Sequence, residues 1–257
     1  MTDLATSAVS DLPPTADDHV VAAGLAEAAG RRLLEIRAEI GFADPSALRS
    51  AGDRGAQDLL AKELARLRPA DAVLSEEAAD DSARLHSSRV WIIDPLDGTR
   101  EFSEEGRSDW AVHVALWVDG VLTAGAVALP GRGVTLATPN VDPPRPFSGQ
   151  PRVVVSRTRP PAQAQTVAAA LSAELVPLGS AGAKVSAVVL GDAEVYVHGG
   201  GQYEWDSAAP VAIARAAGLH ASRLDGSALL YNQLNPYLPD LVVCPTQLWP
   251  AVSAALN

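Results

Sequence analysis

The stretch W-I-I-D-P-L-D-G-T, from Trp91 to Thr99, places two carboxylates, Asp94 and Asp97, on either side of a proline and before a Gly-Thr step. The apolar run at residues 90–93 has the β-branched character of a buried strand, so the sequence predicts that this strand ends at Asp94. Pro95 fixes its own φ and disfavours helix at the preceding residue, which predicts a turn. The Gly-Thr step could begin a helix, whose free N–H groups suit an anion. Two acids beside an anion site suggest that a cation lies between them.

The same residues have a simpler interpretation. Asp, Pro and Gly are the commonest turn formers, so the segment alone is equally consistent with an ordinary turn. The context in the rest of the chain decides between the two interpretations.

Composition limits the class of protein. The chain has 257 residues, 47% of them apolar, which is enough for one large domain or two closely joined halves. No apolar run approaches the roughly 20 residues of a membrane span, and the polar, acidic N-terminal residues do not resemble a secretory signal. The single cysteine, Cys244, excludes an internal disulfide framework and a cysteine-cluster metal site. These features predict a cytoplasmic protein with no membrane partner.

The charge argues against nucleic acid polymers as partners. The formal net charge is −11 and the isoelectric point is near 4.8, whereas proteins that coat nucleic acid neutralise phosphates with clustered Lys and Arg. An acidic protein can still bind a small phosphorylated molecule if metal ions or a local group of basic residues reverse the field at the site.

The N-terminal part of the chain predicts a mobile tail followed by helices. Residues 1–17 show little periodicity and are interpreted as the tail. A first amphipathic helix runs from Asp18 to Gly41, and a second begins near Asp53 and ends at Pro69. A short strand at residues 72–74 then leads into Ser75-Glu76-Glu77.

The remaining elements divide into two groups around a proline-rich connection. Residues 109–129 predict a hairpin turning at Asp119-Gly120, and residues 134–138 a further strand. Residues 139–151 contain five prolines, and we interpret them as the connection between an N-terminal half, 18–138, and a C-terminal half, 152–257. The elements predicted in the C-terminal half are strands at 152–155, 194–197, 229–231 and 241–244, and helices at 166–175, after 178–184, and at 204–217.

Acidic residues are predicted at strand ends or helix starts, where a rigid scaffold presents groups to a cleft. The acids in question are Asp53, Glu76, Asp94 with Asp97, and Asp206. Ligands that are all oxygen, without histidine or cysteine, select hard cations such as Mg²⁺ over Zn²⁺. Two or more such ions suit the cleavage of a phosphate ester, because one activates a water and another neutralises the leaving oxygen.

Three motifs in this order, Ser75-Glu76-Glu77, the 91–99 stretch and Trp205-Asp206, resemble the inositol monophosphatase superfamily of magnesium-dependent, lithium-sensitive phosphatases. The resemblance spans roughly residues 18–244. It implies an α/β fold, the layered αβαβα sandwich shared with fructose-1,6-bisphosphatase. It also implies two to three Mg²⁺ ions and inhibition by Li⁺. Whether Leu, Val and Ala surfaces of the chain form a homodimer stays open.

The resemblance assigns roles to individual residues. The ligands of a first metal ion would be Glu76, Asp94 and the carbonyl oxygen of Leu96, and those of a second would be Asp94, Asp97 and Asp206. The expected catalytic residues are Asp53, Thr99 and Glu76. Asp53 would assist a third ion through water and, with Thr99, orient and deprotonate the attacking water. The backbone N–H groups of Gly98 and Thr99 would hold the phosphate.

The sequence that follows the central motif favours one branch of this superfamily. Arg100-Glu101-Phe102 resembles the Lys-Glu-Phe of CysQ-type enzymes, which hydrolyse 3′-phosphoadenosine 5′-phosphate in sulfur assimilation, rather than the Thr-Asn-Phe of inositol-type enzymes. Residues 198–201 also lack the glutamate that inositol-type enzymes use to hold sugar hydroxyls. The expected substrate-binding residues are Gly98, Thr99, Arg100, Ser156, Arg157, Gly179, Ser180 and Lys184.

Two other functions remain open. One is inositol monophosphatase or fructose-1,6-bisphosphatase activity in the same superfamily, and the other is a regulator that binds metal and nucleotide without turnover. Single side chains also keep two interpretations: Trp205 either stacks on a base or anchors the packing, and His198 either lines the pocket or does not. His113 is interpreted as structural, and Cys244 as a small core residue.

Overall fold

The computed structural model describes residues 9–256, which form two five-stranded sheets and seven α-helices. The helices are α1 (Asp18–Ile40), α2 (Pro45–Leu67), α3 (Thr99–Phe102), α4 (Ala162–Leu171), α5 (Ala181–Leu190), α6 (Glu204–Ala216) and α7 (Trp249–Leu256). The strands of the first sheet are β1 (Ala72–Ser75), β2 (Arg89–Asp97), β3 (Ala111–Val118), β4 (Val121–Leu129) and β5 (Val134–Ala137). Those of the second are β6 (Arg152–Ser156), β7 (Glu174–Leu178), β8 (Val195–Tyr203), β9 (His220–Ser222) and β10 (Tyr237–Cys244).

The first sheet has the strand order β1-β2-β3-β4-β5, with β1 and β2 parallel and the other neighbours antiparallel. Strand β2 is buried on both faces, which explains its nearly continuous apolar sequence. Val90 and Ile92 point into one hydrophobic cluster, while Trp91 and Ile93 point into another, as the two-residue period of a strand requires.

The second sheet has the order β7-β6-β8-β10-β9. Strand β6 runs parallel to β7 and β8, and β10 runs antiparallel to both β8 and β9. Edge strand β7 was not predicted, and the helix predicted at residues 166–175 was wrong at its end, because α4 stops at Leu171. Pro177 lies in β7, and a proline is tolerated in a sheet mainly at an edge, where an N–H is not needed.

Three hydrophobic clusters divide the molecule into five layers. Helices α1 and α2 pack on the outer face of the first sheet, α5 and α6 lie between the sheets, and α4 and α7 cover the outer face of the second. This arrangement confirms the αβαβα sandwich. Cys244 is fully buried in the third cluster and is a core residue, as expected.

The central motif differs from its prediction. Strand β2 does not end at Asp94 but continues to Asp97, and its register with β3 shifts between these two residues. Asp94 lies opposite His113, and Asp97 lies opposite Ala111. The irregularity around Pro95 therefore changes the direction of both carboxylates within the strand, a common use of such shifts near functional sites.

Helix α2 begins eight residues before Asp53, so the prediction that Asp53 lies at a helix start was wrong. The helix starts at Pro45, and the Asp44 side chain caps it by accepting hydrogen bonds from the N–H groups of Ser46 and Ala47, both at 3.0 Å. The Ala- and Gly-rich sequence after this cap has little apolar periodicity, so the first two turns of α2 were not predicted.

Three further elements differ from the prediction. The strand predicted at residues 229–231 is not one, although Leu229 and Tyr231 are buried in the middle layer. The short strand β9 and the helix α7 were not predicted. Residues 139–151 contain no helix or strand, and the proposed division into halves there remains a prediction.

The predicted tail spans residues 1–17, of which residues 1–8 lie outside the described part. In residues 9–16, the carbonyls of Val9 and Leu12 accept hydrogen bonds from Arg66, and those of Pro14 and Ala16 accept from Arg68. Among the helices of the described chain, none is long and apolar enough to span a bilayer.

Candidate active site

Three carboxylates meet at the end of β2. Asp94 and Asp97 come from this strand, and Asp206 comes from the first turn of α6, which packs between the sheets. Each offers one oxygen atom, and these oxygens lie within 4.8 Å of one another. We call these three residues the acidic cluster.

Asp94 carries the clearest sign that the acidic cluster binds a cation. Its Oδ1 accepts a hydrogen bond from the Leu96 N–H at 3.0 Å, but its buried Oδ2 has no hydrogen-bond partner among the described residues. Burial, and then the charges of Glu76, Asp97 and Asp206, raise the pKa of Asp94 well above its ordinary value. A buried carboxylate oxygen without a partner is costly, and a bound metal ion would satisfy it.

Asp97 is held in its ionised form. Burial alone would raise its pKa, but the neighbouring His113 lowers it, helped by the Gly182 N–H, which donates to Oδ2 at 2.7 Å. Nε2 of His113 lies 3.2 Å from the same oxygen, and Nδ1 lies 3.0 Å from the Trp205 carbonyl oxygen. Burial would lower the pKa of His113, but its contact with Asp97 raises it.

Asp206 and Glu76 complete the acidic environment. The Tyr203 N–H donates to Oδ2 of Asp206 at 2.6 Å, yet burial and then the charge of Asp97 raise the pKa of Asp206 to about 7. Glu76 directly follows β1, and the residue is exposed to solvent. Partial burial, and then the charges of Asp206 and Asp97, raise its pKa to about 7. Glu76 is not one of the three residues of the acidic cluster.

The turn after β2 leads directly into α3. Gly98 has a φ of +85°, and a Cβ atom there would lie 2.9 Å from the Cβ of Ser180, so both the conformation and the space require glycine. Thr99 begins α3, and its hydroxyl donates to the carbonyl oxygen of Leu96 at 3.2 Å. The predicted carbonyl ligand and the predicted catalytic threonine are therefore direct neighbours.

Asp53 reaches this turn from the middle of α2. The preceding Gly52 lets the helix lie directly against the motif, since a Cβ there would come within 2.9 Å of Leu96 and 2.7 Å of Phe102. Asp53 interacts with the hydroxyl of Thr99. Burial, and then the charge of Glu77, raise its pKa to about 6. The predicted element was wrong for Asp53, and its catalytic role with Thr99 stays a prediction.

Gly179, Ser180 and Lys184 form the start of α5 beside the turn. The Gly179 N–H donates to Asp109 at 2.6 Å, and the Ser180 hydroxyl caps the helix by accepting from the Ala183 N–H at 2.8 Å. The Lys184 ammonium group is buried and donates to the carbonyl oxygens of Gly179 and Ser180. Burial lowers the pKa of Lys184. Lys184 therefore stabilises the start of α5.

Arg157 is also engaged within the protein. Its Nε donates to Glu101 and its Nη2 to Glu104, both at 2.6 Å, and these contacts raise its pKa. Arg100 is different, because its side chain is 61% exposed and only pairs loosely with Glu104 at 3.2 Å. The Ser156 hydroxyl accepts from the Arg159 N–H at 3.3 Å.

Two residues that shape the site were not predicted from the sequence. His113, interpreted as structural, contacts Asp97 directly; the signal was its position as a polar residue within an apolar strand. Arg37 of α1 donates to the carbonyls of Phe102, Glu104 and Arg107 and so fixes the segment after α3. Nothing in the sequence pairs Arg37 with that segment, about 65 residues away.

Trp205 and His198 are both half-buried. Trp205 packs against the middle layer and stacks on Tyr203, with ring centroids 4.8 Å apart. His198 has a buried Nε2 without a hydrogen-bond partner in the described part of the chain. Burial, and then Lys184, lower the pKa of His198 to about 4, so its ring is neutral.

A five-layered α/β sandwich with a buried acidic cluster beside a Gly-Thr turn defines a class of metal-assisted phosphatases, because such a site holds cations next to an anion. The inositol monophosphatase family profile matches residues 22–251. The chain belongs to this family.

Two relatives are named for a reaction, and one solved structure shares the fold. The chain is 54% identical to a 3′-phosphoadenosine 5′-phosphate phosphatase of Mycobacterium leprae, over 93% of each chain. It is 30% identical to the 3′(2′),5′-bisphosphate nucleotidase CysQ of Escherichia coli K12, over 74% of this chain and 81% of the relative. Inositol monophosphatase II of Staphylococcus aureus shares the fold, with a TM-score of 0.75 at 21% identity, over 91% of this chain and 93% of the other.

Proposed function

We propose that the protein is a 3′(2′),5′-bisphosphate nucleotidase, which uses water to hydrolyse 3′-phosphoadenosine 5′-phosphate to AMP and phosphate. The observation that carries the chemistry is the buried, unpartnered Oδ2 of Asp94 in the middle of the acidic cluster. The substrate is favoured by the relatives, which are named for this reaction at 54% and 30% identity. Inositol-type activity is favoured only by neighbours at about 21% identity, which bear on the fold.

The acidic cluster and its neighbours would hold Mg²⁺. The proposed ligands are Glu76, Asp94 and the Leu96 carbonyl oxygen for one ion, and Asp94, Asp97 and Asp206 for another. An all-oxygen donor set fits Mg²⁺ better than a transition metal. When bound, such ions lower the pKa of a water and neutralise the oxygen that leaves with the nucleoside.

The residues around the ions would position the water and the phosphate. Asp53 would, together with Thr99, orient the attacking water and accept its proton, and a pKa of about 6 leaves Asp53 ionised at neutral pH, as a general base must be. The N–H groups of Gly98 and Thr99 would bind the phosphate oxygens. His113 and the Gly182 N–H keep Asp97 ionised and oriented, which is the role of partners that surround metal ligands.

The second phosphate of the substrate needs a cation. Arg100 has the most exposed guanidinium beside the turn, so we propose that it binds the 5′-phosphate. Arg157 would have to leave Glu104 before it could do the same, and Lys184 would act through the carbonyls that it holds. Ser156, Gly179 and Ser180 would line the substrate side of α5.

The proposed reaction also implies a pathway and a location in the cell. Hydrolysis of this nucleotide would place the protein in sulfur assimilation, in the cytoplasm. Inhibition by Li⁺ is a further expectation of the family resemblance, and a homodimer is an assembly to test beside the monomer.

Phosphate release from three substrates tests the proposal. The substrates are 3′-phosphoadenosine 5′-phosphate, inositol monophosphate and fructose 1,6-bisphosphate, each with Mg²⁺ and with or without Li⁺. We expect the nucleotide to have the highest kcat/KM, and Li⁺ to inhibit. Equal or faster turnover of inositol monophosphate would contradict the nucleotidase assignment, and no turnover of any substrate would favour a regulator without catalysis.

A further inference from the structure

Three aromatic side chains form a continuous surface beside the acidic cluster. Trp205 stacks on Tyr203 with an angle of 9° between the rings, and Tyr203 meets Tyr237 edge to face at 5.9 Å. Tyr203 and Tyr237 are direct partners across strands β8 and β10, so their side chains share one face of the second sheet. We call these three residues the aromatic patch.

The aromatic patch is open to solvent. Tyr203 is 43% exposed and Tyr237 is 42% exposed, whereas Trp205 anchors the stack against the middle layer. Gly200 and Gly201 precede the stack with φ values of +92° and +87°, and a Cβ atom at either position would meet nothing within 4 Å. The glycines thus leave free space next to exposed aromatic rings, where side chains would otherwise project.

Backbone groups of Tyr203 and Trp205 also connect the aromatic patch to the acidic cluster. The Tyr203 N–H donates to Oδ2 of Asp206 at 2.6 Å, and the Trp205 carbonyl lies 3.0 Å from Nδ1 of His113, which contacts Asp97. Tyr203 and Trp205 thus lie within three residues of Asp206 along the chain, which places the aromatic patch next to the acids where a phosphate would bind. A small sugar phosphate has no flat apolar part for the aromatic patch to bind.

We propose that the aromatic patch binds the nucleobase of the substrate by stacking on the exposed rings of Tyr203 and Tyr237. This inference rests on the proposed nucleotidase function and adds the element that would distinguish nucleotides from sugar phosphates. An aromatic surface suits a base because every base has a π face, and stacking does not require a charged partner. Leu234, which is 76% exposed, offers a further apolar surface on the loop before β10.

Substitution of Tyr203 separates base recognition from chemistry. Tyr203→Leu removes the ring but keeps an apolar side chain, and it leaves the backbone N–H that holds Asp206. We expect it to raise the KM for 3′-phosphoadenosine 5′-phosphate, and the Kd of AMP measured by calorimetry with Mg²⁺, by about 10-fold. The KM for inositol monophosphate, which has no base, should rise less than the KM for the nucleotide, so the ratio of the two KM values reports the loss of base binding.

Companion variants control for packing. Tyr203→Phe keeps the ring and should bind AMP like the wild type, while Tyr237→Leu should weaken AMP binding in the same direction as Tyr203→Leu. Val121→Ala alters a residue that is 60% exposed on the hairpin between β3 and β4 and should change neither constant. Light scattering on each variant reports whether the aromatic patch instead joins two copies of the chain.

These measurements distinguish base stacking from a role in packing and from contact between two copies of the chain. An equal rise in KM for the nucleotide and for inositol monophosphate, an unchanged Kd for AMP, or a change of oligomeric state alone would overturn base stacking. A wild-type protein that fails to bind AMP would overturn it as well. A wild type that binds AMP but does not hydrolyse the bisphosphate, with binding weakened in Tyr203→Leu, would refute the proposed reaction and still support the base site.

Discussion

The segment after α3 lowers the pKa of its paired carboxylates, whereas the acidic cluster raises the pKa of two of its three carboxylates. In the segment after α3, Glu104 pairs with Arg157 and Asp109 pairs with Arg107. The pKa of Glu104 is lowered by Arg157, and that of Asp109 is lowered because Arg107 outweighs the effect of burial. In the acidic cluster the pKa of Asp206 rises to about 7 and that of Asp94 rises well above its ordinary value, in both cases first because of burial.

The difference lies in where the neutralising cation comes from. The chain supplies its own arginines to the segment after α3, so that region is complete as folded. It supplies no arginine to the described surroundings of Asp94. Nδ1 of His113 lies 4.0 Å from Oδ2 of Asp94, farther than the 3.2 Å from Nε2 of His113 to Asp97. Buried charges are stable only when paired, so the acidic cluster requires cations from solution. Substitutions in the two regions should therefore have opposite effects on stability.

Asp94→Asn should cause the largest change. It removes a carboxylate that two metal ions would share, so phosphate release should fall by more than the roughly 10–100-fold that loss of a supporting partner costs. The circular dichroism spectrum should be unchanged, because the amide is nearly isosteric. Steady-state phosphate release at saturating Mg²⁺ measures the loss.

Asp192→Asn is the matched control for Asp94→Asn. Asp192 pairs with Arg132 on the surface, so this variant should keep wild-type activity. If Asp94→Asn retained turnover at saturating Mg²⁺, its proposed role in metal binding would be refuted.

Asp206→Asn should stabilise the metal-free protein, and only at high pH. The folded pKa of about 7 exceeds the ordinary 3.8, so the folded state binds more protons between these values and loses stability as pH rises. In EDTA the variant should therefore melt about 4 °C or more above the wild type near pH 8, and at nearly the same temperature near pH 4. With Mg²⁺ near pH 8 the order should reverse, as scanning calorimetry would show. A variant less stable than the wild type in EDTA at high pH would contradict the unpaired state of the cluster.

Arg157→Gln should have the opposite sign, because it breaks a completed pair. Glu101 is buried and would lose its charged donor. The free energy of unfolding should fall by about 1.5–3 kcal/mol, as measured by urea denaturation, with or without Mg²⁺. Arg157→Lys keeps the charge but not the fork to both glutamates and should lose less. An unchanged midpoint for Arg157→Gln would show that this pair contributes no stability.

Arg132→Gln should have the smallest effect. Its ion pair with Asp192, at 2.8 Å, lies on the surface, where water already solvates both groups. The free energy of unfolding should change by less than about 0.5 kcal/mol in urea denaturation. A larger loss would mean that exposed pairs in this protein are stronger than exposed pairs usually are.

The sequence predicted the parts of the site that are local. Asp94, Asp97 and the Gly-Thr turn lie within six residues. Asp206 lies in the first turn of a helix whose start at Glu204 was confirmed and whose end was predicted one residue too late. Each of these positions follows from neighbouring Pro, Gly or apolar residues, which act over a few residues of chain.

The rest depends on contacts between distant segments. Asp53 reaches Thr99 because Gly52 allows close packing, and His113 meets Asp97 through the β2–β3 register. The engagement of Arg157 and Lys184 inside the protein also could not be predicted, because it depends on Glu101 and on two carbonyls brought near by the fold. A basic residue in a sequence indicates a charge, but not whether the protein itself has already neutralised it.

The central claim is that the acidic cluster needs external cations to hydrolyse a bisphosphate nucleotide. The most direct test is to remove metal from the wild-type protein with EDTA and to measure phosphate release from 3′-phosphoadenosine 5′-phosphate as Mg²⁺ is restored. We predict no release without metal and a saturable rise as Mg²⁺ is added. A rate that does not change with Mg²⁺, or no release at any Mg²⁺ concentration, would contradict the claim.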